Sequence, residues 1–377
     1  METFDYLVVG GGIAGASIGY QLAASGGKVA ITEMESMPGY HTTGRSAAFY
    51  AETYGGALFR PLTTASKAFL HQPPAGFSEV PLITPRGVLY IFGQERQAAA
   101  ESHCREMQAD LPGVTLLNRA GALAVNPSLT PDFIAGAIAD PDCGDLDVAA
   151  LHQGYLRGFK ARGGQLMTGF ELARADRRDG LWRVKGRAGQ AAKARTLINT
   201  AGAWADGVAE AAGLAPIGMQ PLRRTIAVVT VDETDVAHSS LPLTVDLDDR
   251  FYFRPEGDGF LLSPADETLS PPCDAQPEAE DVAWAVHWFE QATGRKVLRV
   301  DSRWAGLRTF SCDRGPVIGF DPRTEGFFWS VGQGGYGIQT ADGWSRMAAA
   351  LVTDNPLDAD LTALGVRPEP YAPDRFF

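Results

Sequence analysis

Three glycines near the start of the chain are spaced to bind a phosphate group through the backbone. They form the motif Gly10-x-Gly12-x-x-Gly15, between an apolar run at residues 6–9 and apolar residues at helical spacing from 14 to 24. Such a turn lets a pyrophosphate approach the main chain, where the free N–H groups of the following helix face the anion. Glu33 ends a second predicted strand and can accept hydrogen bonds from a ribose. This order predicts an adenine dinucleotide site and leaves NAD and FAD both open.

Length, charge and cysteine content exclude several other classes of protein. A chain of 377 residues is longer than one core usually serves, so we expect two connected domains. The net charge of −12 disfavours nucleic acid or an anionic membrane as a partner. Cys104, Cys143, Cys273 and Cys312 lie far apart, which indicates neither a metal site nor a disulfide framework. The start of the chain lacks the pattern of a secretory signal, and no apolar run approaches the ~18 residues of a membrane span. We therefore expect a cytoplasmic protein without a transmembrane segment.

The elements that must position this site are predicted from periodicity and turn residues. Residues 40–48 are small and polar, typical of a helix start that meets a second part of the cofactor. Residues 82–92 predict a hairpin, and residues 147–162 predict a helix. A meander at 171–199 leads to a second strand-to-helix turn. A last strand, a glycine-rich turn and a helix over 339–351 form another such unit near the end of the chain.

The order of these elements predicts an α/β fold with an α+β insertion. We expect a Rossmann-like nucleotide-binding domain made from discontinuous pieces and a second, mainly antiparallel-sheet domain for the substrate. The proposed nucleotide-binding domain comprises residues 1–80, 141–222 and 303–377, and the proposed substrate domain comprises 81–140 and 223–302. Ligands should bind where the two meet.

Seven runs of residues, spread over nearly the whole chain, carry a specific resemblance. They are residues 5–8, 10–17, 38–48, 151–158, 201–204, 304–308 and 333–340. In their order and content they resemble the D-amino-acid oxidase superfamily of flavoproteins, and within it the bacterial FAD-dependent D-arginine dehydrogenase subfamily. The resemblance implies non-covalently bound FAD rather than NAD. The cofactor-binding residues it implies are Gly10, Gly12, Ile13, Ala14, Gly15, Glu33, Arg45, Ser46, Ala47, Ala201, Gly202, Trp204, Gly306, Gly335, Tyr336, Gly337, Ile338, Gln339 and Thr340.

The resemblance also implies a set of residues at the substrate. Arg308 is the residue expected to bind a substrate carboxylate, because a guanidinium is permanently charged and its planar fork matches a carboxylate. Tyr252 and Tyr54 match tyrosines that line the substrate pocket of the family. Arg224 matches a further pocket arginine, although Arg223 adjoins it. Gly335 is the position whose carbonyl would accept a hydrogen bond from the substrate amine.

The reaction implied is oxidative deamination of a D-amino acid. The α-hydrogen leaves as hydride to the flavin N5, and water hydrolyses the imino acid to a 2-oxo acid and ammonia. The chain lacks the subfamily's acidic residue after residues 84–86, and Phe49 and Ala51 replace a His and a Thr. Because burying a cation without a partner is costly, we expect neutral, apolar substrates. Glu52 or Asp246 could restore a partner for a basic substrate.

Two other functions remain open from the residues. A sarcosine- or glycine-oxidase-type amine oxidase shares the plan and the need to bind a carboxylate. A flavin-binding protein without turnover is the alternative from another class. The electron acceptor, the choice between oxidase and dehydrogenase, and the oligomeric state have no signal in the sequence.

Overall fold

The structure, a computed structural model, describes residues 2–232 and 238–377. The helices in this part of the chain are α1 (Ile13–Ala24), α2 (Gly56–His71), α3 (Gln97–Gln108), α4 (Arg119–Val125), α5 (Val148–Ala161), α6 (Ala205–Ala211), α7 (Ala279–Thr293), α8 (Ala341–Val352) and α9 (Ala359–Ala363). The strands are β1 (Thr3–Val9), β2 (Val29–Thr32), β3 (Phe49–Tyr50), β4 (Ile83–Pro85), β5 (Val88–Phe92), β6 (Thr115–Asn118), β7 (Gly136–Asp140), β8 (Gly144–Leu146), β9 (Gln165–Met167), β10 (Leu172–Arg178), β11 (Leu181–Gly186), β12 (Ala191–Asn199), β13 (Gln220–Val231), β14 (Leu243–Asp246), β15 (Tyr252–Glu256), β16 (Gly259–Ser263), β17 (Thr268–Leu269), β18 (Val297–Phe310), β19 (Val317–Phe320) and β20 (Phe327–Val331).

A parallel sheet forms the first layer of the molecule. Its parallel strands lie in the order β9-β2-β1-β12-β20, with β19 antiparallel to β20 and the β10–β11 hairpin antiparallel to β12. Alternate residues of each strand face opposite layers, as in Val8 and Leu7 of β1. Val8 packs in a core shared with α1, α5 and α8, whereas Leu7 packs in a core with β10 and β11. The carboxyl ends of the parallel strands therefore meet at one edge, where ligands bind in such sheets.

A second, mainly antiparallel sheet stands against that edge. Its order is β17-β13-β16-β15-β14-β5-β7-β6, with β18 also on β13, and only the β14–β5 pair is parallel among the paired strands described. The aromatic residues Phe253, Phe260 and Phe289 pack this sheet against α7. The mixed α/β fold class is confirmed.

The long ladder between β13 and β18 places two arginines side by side. Leu222 pairs with Arg308, and Arg224 lies two residues further along β13, on the same face of the sheet. Arg223 faces the other way and binds Glu278 on the far side, at 2.9 Å. Of the two adjacent arginines, only Arg224 lies on the face shared with Arg308.

The proposed domain limits at 222 and 303 lie inside β13 and β18, respectively. Residues 1 and 233–237, which the proposed ranges include, lie outside the described residues. The division into domains stays a prediction.

Two predicted elements differ from the structure. Residues 82–92 do not form a hairpin: β4 pairs with β8 in a small sheet, and β5 pairs with β7 and β14 in the second sheet. The partners of β4 and β5 all come from later in the chain. The alternation of apolar and polar residues within one segment does not indicate such distant partners. Residues 40–48 form only a three-residue 3₁₀ turn at Thr43–Arg45, because Ser46 is extended and Ala48 has a positive φ of 33°.

Candidate active site

A cavity of about 420 Å³ lies where the carboxyl ends of the parallel strands face the second sheet. Its walls come from the turns after β1, β2 and β12, from strands β13, β14, β15 and β18, and from residues 39–49 and 333–339. Segments far apart in the chain therefore meet around one space.

Most of the predicted site residues line this cavity. They are Gly10, Gly12, Ile13, Ala14, Glu33, Arg45, Ser46, Ala47, Tyr54, Ala201, Gly202, Trp204, Arg224, Tyr252, Gly306, Arg308, Gly335, Gly337, Ile338 and Gln339. Gly15, Tyr336 and Thr340 lie behind the wall. Tyr336 packs against Tyr54, with ring centroids 4.7 Å apart, and its carbonyl accepts a hydrogen bond from the Thr340 hydroxyl.

The first glycine turn leaves no room for side chains. A β-carbon added to Gly15 would lie 1.8 Å from the carbonyl oxygen of Gly10, and one added to Gly10 would lie 2.8 Å from the Thr200 carbonyl oxygen. Gly10 also has a positive φ of 109°, which favours glycine. Helix α1 begins at the cavity without a side-chain cap from Gly12, its N-cap residue. This backbone cradle at a helix N-terminus fits the pyrophosphate of a dinucleotide.

Glu33 is buried behind the glycine turn and supports it. Its carboxylate accepts hydrogen bonds from the N–H of Gly11 at 2.7 Å and from the N–H of Glu35 at 2.9 Å. Each carboxylate oxygen can accept a further bond, so a ribose hydroxyl can still be bound at this wall of the cavity. The location fits the predicted role.

Two residues that the sequence reasoning missed also hold this turn. The Thr43 hydroxyl accepts a hydrogen bond from the N–H of Ile13, at 3.0 Å. Nε2 of the buried His152 lies 2.8 Å from the carbonyl oxygen of Gly11. Burial lowers the pKa of His152, although the bond to Gly11 acts to raise it. A neutral ring that donates from Nε2 therefore supports the turn.

Arg308 is the best-buried charge at the other end of the cavity, with 8% of its surface exposed. One terminal nitrogen, Nη2, donates to the hydroxyl of Tyr54 at 2.6 Å, and Nη1 lies 3.2 Å from Oε1 of Glu267. A guanidinium held in this way presents a fixed positive charge to the cavity. The arrangement is suited to binding a carboxylate.

Gly335 lies directly against this guanidinium. A β-carbon at this position would lie 2.0 Å from Nη2 of Arg308. The nearby Gln339 fixes the segment that carries Tyr54: its amide accepts from the N–H of Ala51 and donates to the carbonyl of Tyr54, each at 3.1 Å. The glycine turn and residues 51–54 thus hold Arg308 from two sides.

Glu267 is a partner that no motif in the sequence indicated. Its Oε1 lies 3.2 Å from Arg308, 3.4 Å from Arg224 and 3.0 Å from Arg314. Burial acts to raise the pKa of Glu267, but the hydrogen bond from Arg314 and the charges of the arginines outweigh it and lower the pKa. One carboxylate, on a residue that is itself exposed, is therefore shared by three arginines.

Arg224 and Tyr252 complete this end of the cavity. Nε of Arg224 donates to the carbonyl of Asp266 at 2.8 Å, and its guanidinium carbon lies 5.9 Å from the centre of the Tyr252 ring.

Arg45, which was expected near the flavin, directs its guanidinium to Asp274 and to the carbonyl oxygen of Ala305. Arg45 also lines the cavity, beside Ser46.

The two acidic residues considered for a basic substrate already have other partners. Glu52 binds Lys67 at 2.8 Å, and Asp246 binds Arg250 at 2.7 Å. Neither lines the cavity, whereas Asp249, which the sequence reasoning did not consider, does. The sequence positions of these three acidic residues did not predict which of their carboxylates faces the cavity.

Other features of the described residues limit what else the protein can be. No described helix has both the length and the apolar composition to cross a bilayer. The four cysteines are all free, and none lines the cavity.

Comparisons with known proteins agree with this geometry. A glycine oxidase of Bacillus licheniformis is 25% identical over 369 residues, which is 95% of each chain. The mitochondrial dimethylglycine dehydrogenase of Homo sapiens is 24% identical over 274 residues, 69% of this chain but 30% of that protein. The crystal structure of glycine oxidase from Geobacillus kaustophilus has a TM-score of 0.84 at 20% identity and covers 100% of this chain and 99% of that one. That of L-proline dehydrogenase from P. horikoshii has a TM-score of 0.83 at 20% identity, covering 100% and 98%.

The structural likenesses show the fold, and the sequence match shows the family. The family described as FAD dependent oxidoreductase, or DAO, matches residues 5–351. The choice of FAD over NAD is thereby confirmed, whereas the finer resemblance to D-arginine dehydrogenase and the roles of individual site residues stay predictions. With a glycine turn at a helix N-terminus and the buried Arg308 on one cavity, the chain belongs to the DAO family of FAD-dependent oxidoreductases.

Proposed function

We propose that the protein is an FAD-dependent D-amino acid dehydrogenase or oxidase. The observation that carries the proposal is the buried guanidinium of Arg308, bound to Tyr54 and lining the same cavity as the dinucleotide cradle. Glu267 lies 3.2 Å from Arg308 but shares its single negative charge among three arginines, so positive charge in the cleft is left for an external anion. An amino acid supplies that anion next to the carbon to be oxidised.

The residues of the chain orient and enclose the substrate. Arg308 and Tyr54 bind its carboxylate, and the carbonyl of Gly335 accepts a hydrogen bond from its amine. FAD, when bound, accepts the hydride that leaves the α-carbon, and the resulting imino acid is hydrolysed in water. Fixed orientation of this kind lowers the barrier without requiring a covalent intermediate with the protein.

A preference for neutral, apolar side chains follows from the cavity walls. Phe49, Ala51, Val88, Leu243 and Val245 line the cavity without charge, and the acid Asp249 shares the cavity wall with Arg224 and Arg308. Glu52 and Asp246, the two acids that could have restored one, are paired elsewhere. D-Leucine, D-methionine and D-phenylalanine are therefore the proposed substrate class.

A second candidate is oxidation of glycine or a secondary amine such as sarcosine. The glycine oxidase of Bacillus licheniformis, which matches 95% of the chain, favours it. The same Arg308 site would bind the carboxylate of either substrate. The first candidate places an α side chain in the cavity, whereas glycine has none and sarcosine carries only a methyl group on its nitrogen.

Anaerobic reduction of the bound flavin tests the proposal. The purified holoenzyme is mixed with D-leucine, D-phenylalanine, D-arginine, L-leucine, glycine and sarcosine, and the loss of flavin absorbance is followed. We expect rapid bleaching with D-leucine and D-phenylalanine. Faster bleaching with glycine or sarcosine would favour the second candidate, and none with any amine would favour a flavin-binding protein without turnover.

Two finer properties belong to the same proposal. We propose that FAD is held without a covalent bond, which is consistent with the absence of all four cysteines from the cavity wall. Acid precipitation should then release all the flavin into the supernatant. The cytoplasmic location also stays a prediction, to be checked by fractionation of the native host.

A further inference from the structure

Asp249 is a carboxylate that faces the cavity without a partner. It lies in the loop between β14 and β15, its side chain is exposed, and it lines the cavity together with Arg224, Tyr252 and Arg308. Among residues 2–232 and 238–377, no hydrogen bond or ion pair to its carboxylate is found. The charge is therefore available to a ligand.

The loop holds this side chain in place. Asp249 has a positive φ of 54°, and its N–H donates to the carbonyl of Asp246 at 2.9 Å. The Asp246 carboxylate also accepts from the N–H of Asp248 at 3.1 Å and from Nε of Arg250 at 2.9 Å. A residue with a side chain at positive φ costs conformational energy, which the surrounding hydrogen bonds must offset.

The charges around Asp249 belong to the substrate end of the cavity. The residue as a whole is exposed, but the protein atoms around its carboxylate raise the pKa of Asp249 by desolvation, whereas the charges of Arg224 and Arg308 act to lower it. The titratable or charged groups that interact with it from the packed elements are Arg224 of β13, Arg308 of β18, Glu267 before β17, Asp246 of its own loop, Tyr90 of β5 and Tyr336 of the glycine turn. Glu267 differs from Asp249 because it binds three arginines and does not line the cavity.

The geometry of an amino acid then limits what Asp249 can meet. In the proposed function, Arg308 binds the substrate carboxylate, and the α-ammonium group is attached to the adjacent carbon. An acid that shares the cavity wall with the carboxylate-binding arginines, and whose charge interacts with theirs, can therefore meet the ammonium group rather than the end of a long side chain. Asp249 is the cavity-lining acid placed to meet a positive charge there.

Resting on the proposed function, we propose that Asp249 binds the α-ammonium group of the substrate and accepts one of its protons before oxidation. An N–H bond of the ammonium breaks, and an O–H bond forms on the Asp249 carboxylate. The freed lone pair on nitrogen supports the positive charge that develops as the α-hydrogen leaves with its electron pair, which FAD accepts in the proposed reaction. The proton on Asp249 returns to water through the accessible side of the loop. The residue thus acts as a general base.

The pH dependence of kcat/KM for D-leucine in Asp249→Asn tests this role. Without the base, only substrate with a neutral amine reacts, and α-amino groups lose their proton from about pH 8 upwards. We expect a loss of roughly 100-fold at pH 7 that shrinks about tenfold with each unit of rising pH and disappears near pH 9. The matched control is Asp248→Asn, which removes the same charge from the neighbouring residue, bound to Arg96 on the surface. The control should keep the wild-type profile.

A binding measurement separates proton transfer from damage to the loop. The inhibitor is 4-methylpentanoate, which has the carbon skeleton and carboxylate of leucine but no amine. In Asp249→Asn we expect this inhibitor to bind as well as in the wild type or more tightly, because a repelling charge is removed. A loss of activity that is equal at every pH, or equal weakening of D-leucine and the inhibitor, would overturn the role of Asp249. A wild type that oxidises no D-amino acid would instead overturn the proposed function, and this inference with it.

Discussion

The guanidinium of Arg308 lies against the α-carbon of Gly335, where even a methyl group would lie 2.0 Å from Nη2. Arg308 comes from a long antiparallel strand of the second sheet, and Gly335 comes from the turn that follows the parallel strand β20. The contact therefore joins the two sheets at the substrate end of the cavity. It explains physically why this turn carries glycine at position 335.

Substituting Gly335→Ala should displace Arg308 without removing it. We expect KM for D-leucine to rise roughly ten- to a hundredfold, because the guanidinium no longer keeps its orientation towards the carboxylate. FAD content is measured beside the kinetics, because Gly335 is also one of the residues expected to contact the cofactor. Steady-state kinetics and the ratio of flavin to protein absorbance measure the two effects.

Gly113→Ala is the control for this substitution. The added β-carbon would lie 3.3 Å from the carboxylate of the exposed Asp142, which can move away, and Gly113 does not line the cavity. Unchanged kinetics in Gly335→Ala would contradict the proposed role of the Arg308–Gly335 contact.

Substituting Glu267→Gln should strengthen the binding of simple carboxylates. Glu267 shares its charge among Arg308, Arg224 and Arg314, so its loss leaves more positive charge for an external anion. We expect the inhibition constant of 4-methylpentanoate to fall roughly three- to tenfold, with the largest difference at low ionic strength. Glu325→Gln, which removes a charge from an exposed residue paired with Arg177, should have no effect. Weaker inhibition in Glu267→Gln would instead indicate that Glu267 positions the arginines.

Acid should destabilise the protein through His152. Its folded-state pKa is lowered by burial, whereas the unfolded chain titrates near 6.5. As the pH falls below 6.5, the unfolded chain takes up a proton that the folded chain resists, so the free energy of unfolding falls by at most about 1.4 kcal/mol for each pH unit. Above pH 6.5 this contribution is constant. Chemical denaturation at pH 7.5 and pH 5 measures the change.

His152→Gln keeps an amide donor for the carbonyl of Gly11 and removes the titration. We expect the difference in stability between pH 7.5 and pH 5 to shrink in this variant. The exposed His103 serves as the comparison, because His103→Gln should leave the difference as it is in the wild type. The same pH dependence in both variants and in the wild type would argue against His152.

Substituting Gly15→Ala should prevent FAD binding. The added β-carbon would lie 1.8 Å from the carbonyl oxygen of Gly10, so α1 must move away from the glycine turn. We expect a colourless protein with an α/β circular dichroism spectrum. Gly121→Ala, in α4, is the control, because its added β-carbon meets Leu117 at 3.4 Å and the site is remote from the cavity. Stoichiometric FAD in Gly15→Ala would show that the close approach is not needed.

The local sequence pattern predicted the elements whose structure depends on residues close together in the chain. The glycine motif, the acid after β2 and the helix over 147–162 were all found, because turn chemistry and helical spacing act over a few residues. The hairpin at 82–92 was wrong because strand partners are chosen over long distances. The roles of Thr43, His152 and Glu267 were missed for the same reason.

The sequence by itself predicted the family and the glycine turn before α1, and it singled out Arg308 as the proposed carboxylate ligand. Only the tertiary structure decided which charges face the cavity. Glu52 is paired with Lys67 and Asp246 with Arg250, whereas Asp249 lines the cavity without such a partner. The physical reason is that the free energy of a charge depends on what the fold places around it, and strands from opposite ends of the chain supply those neighbours.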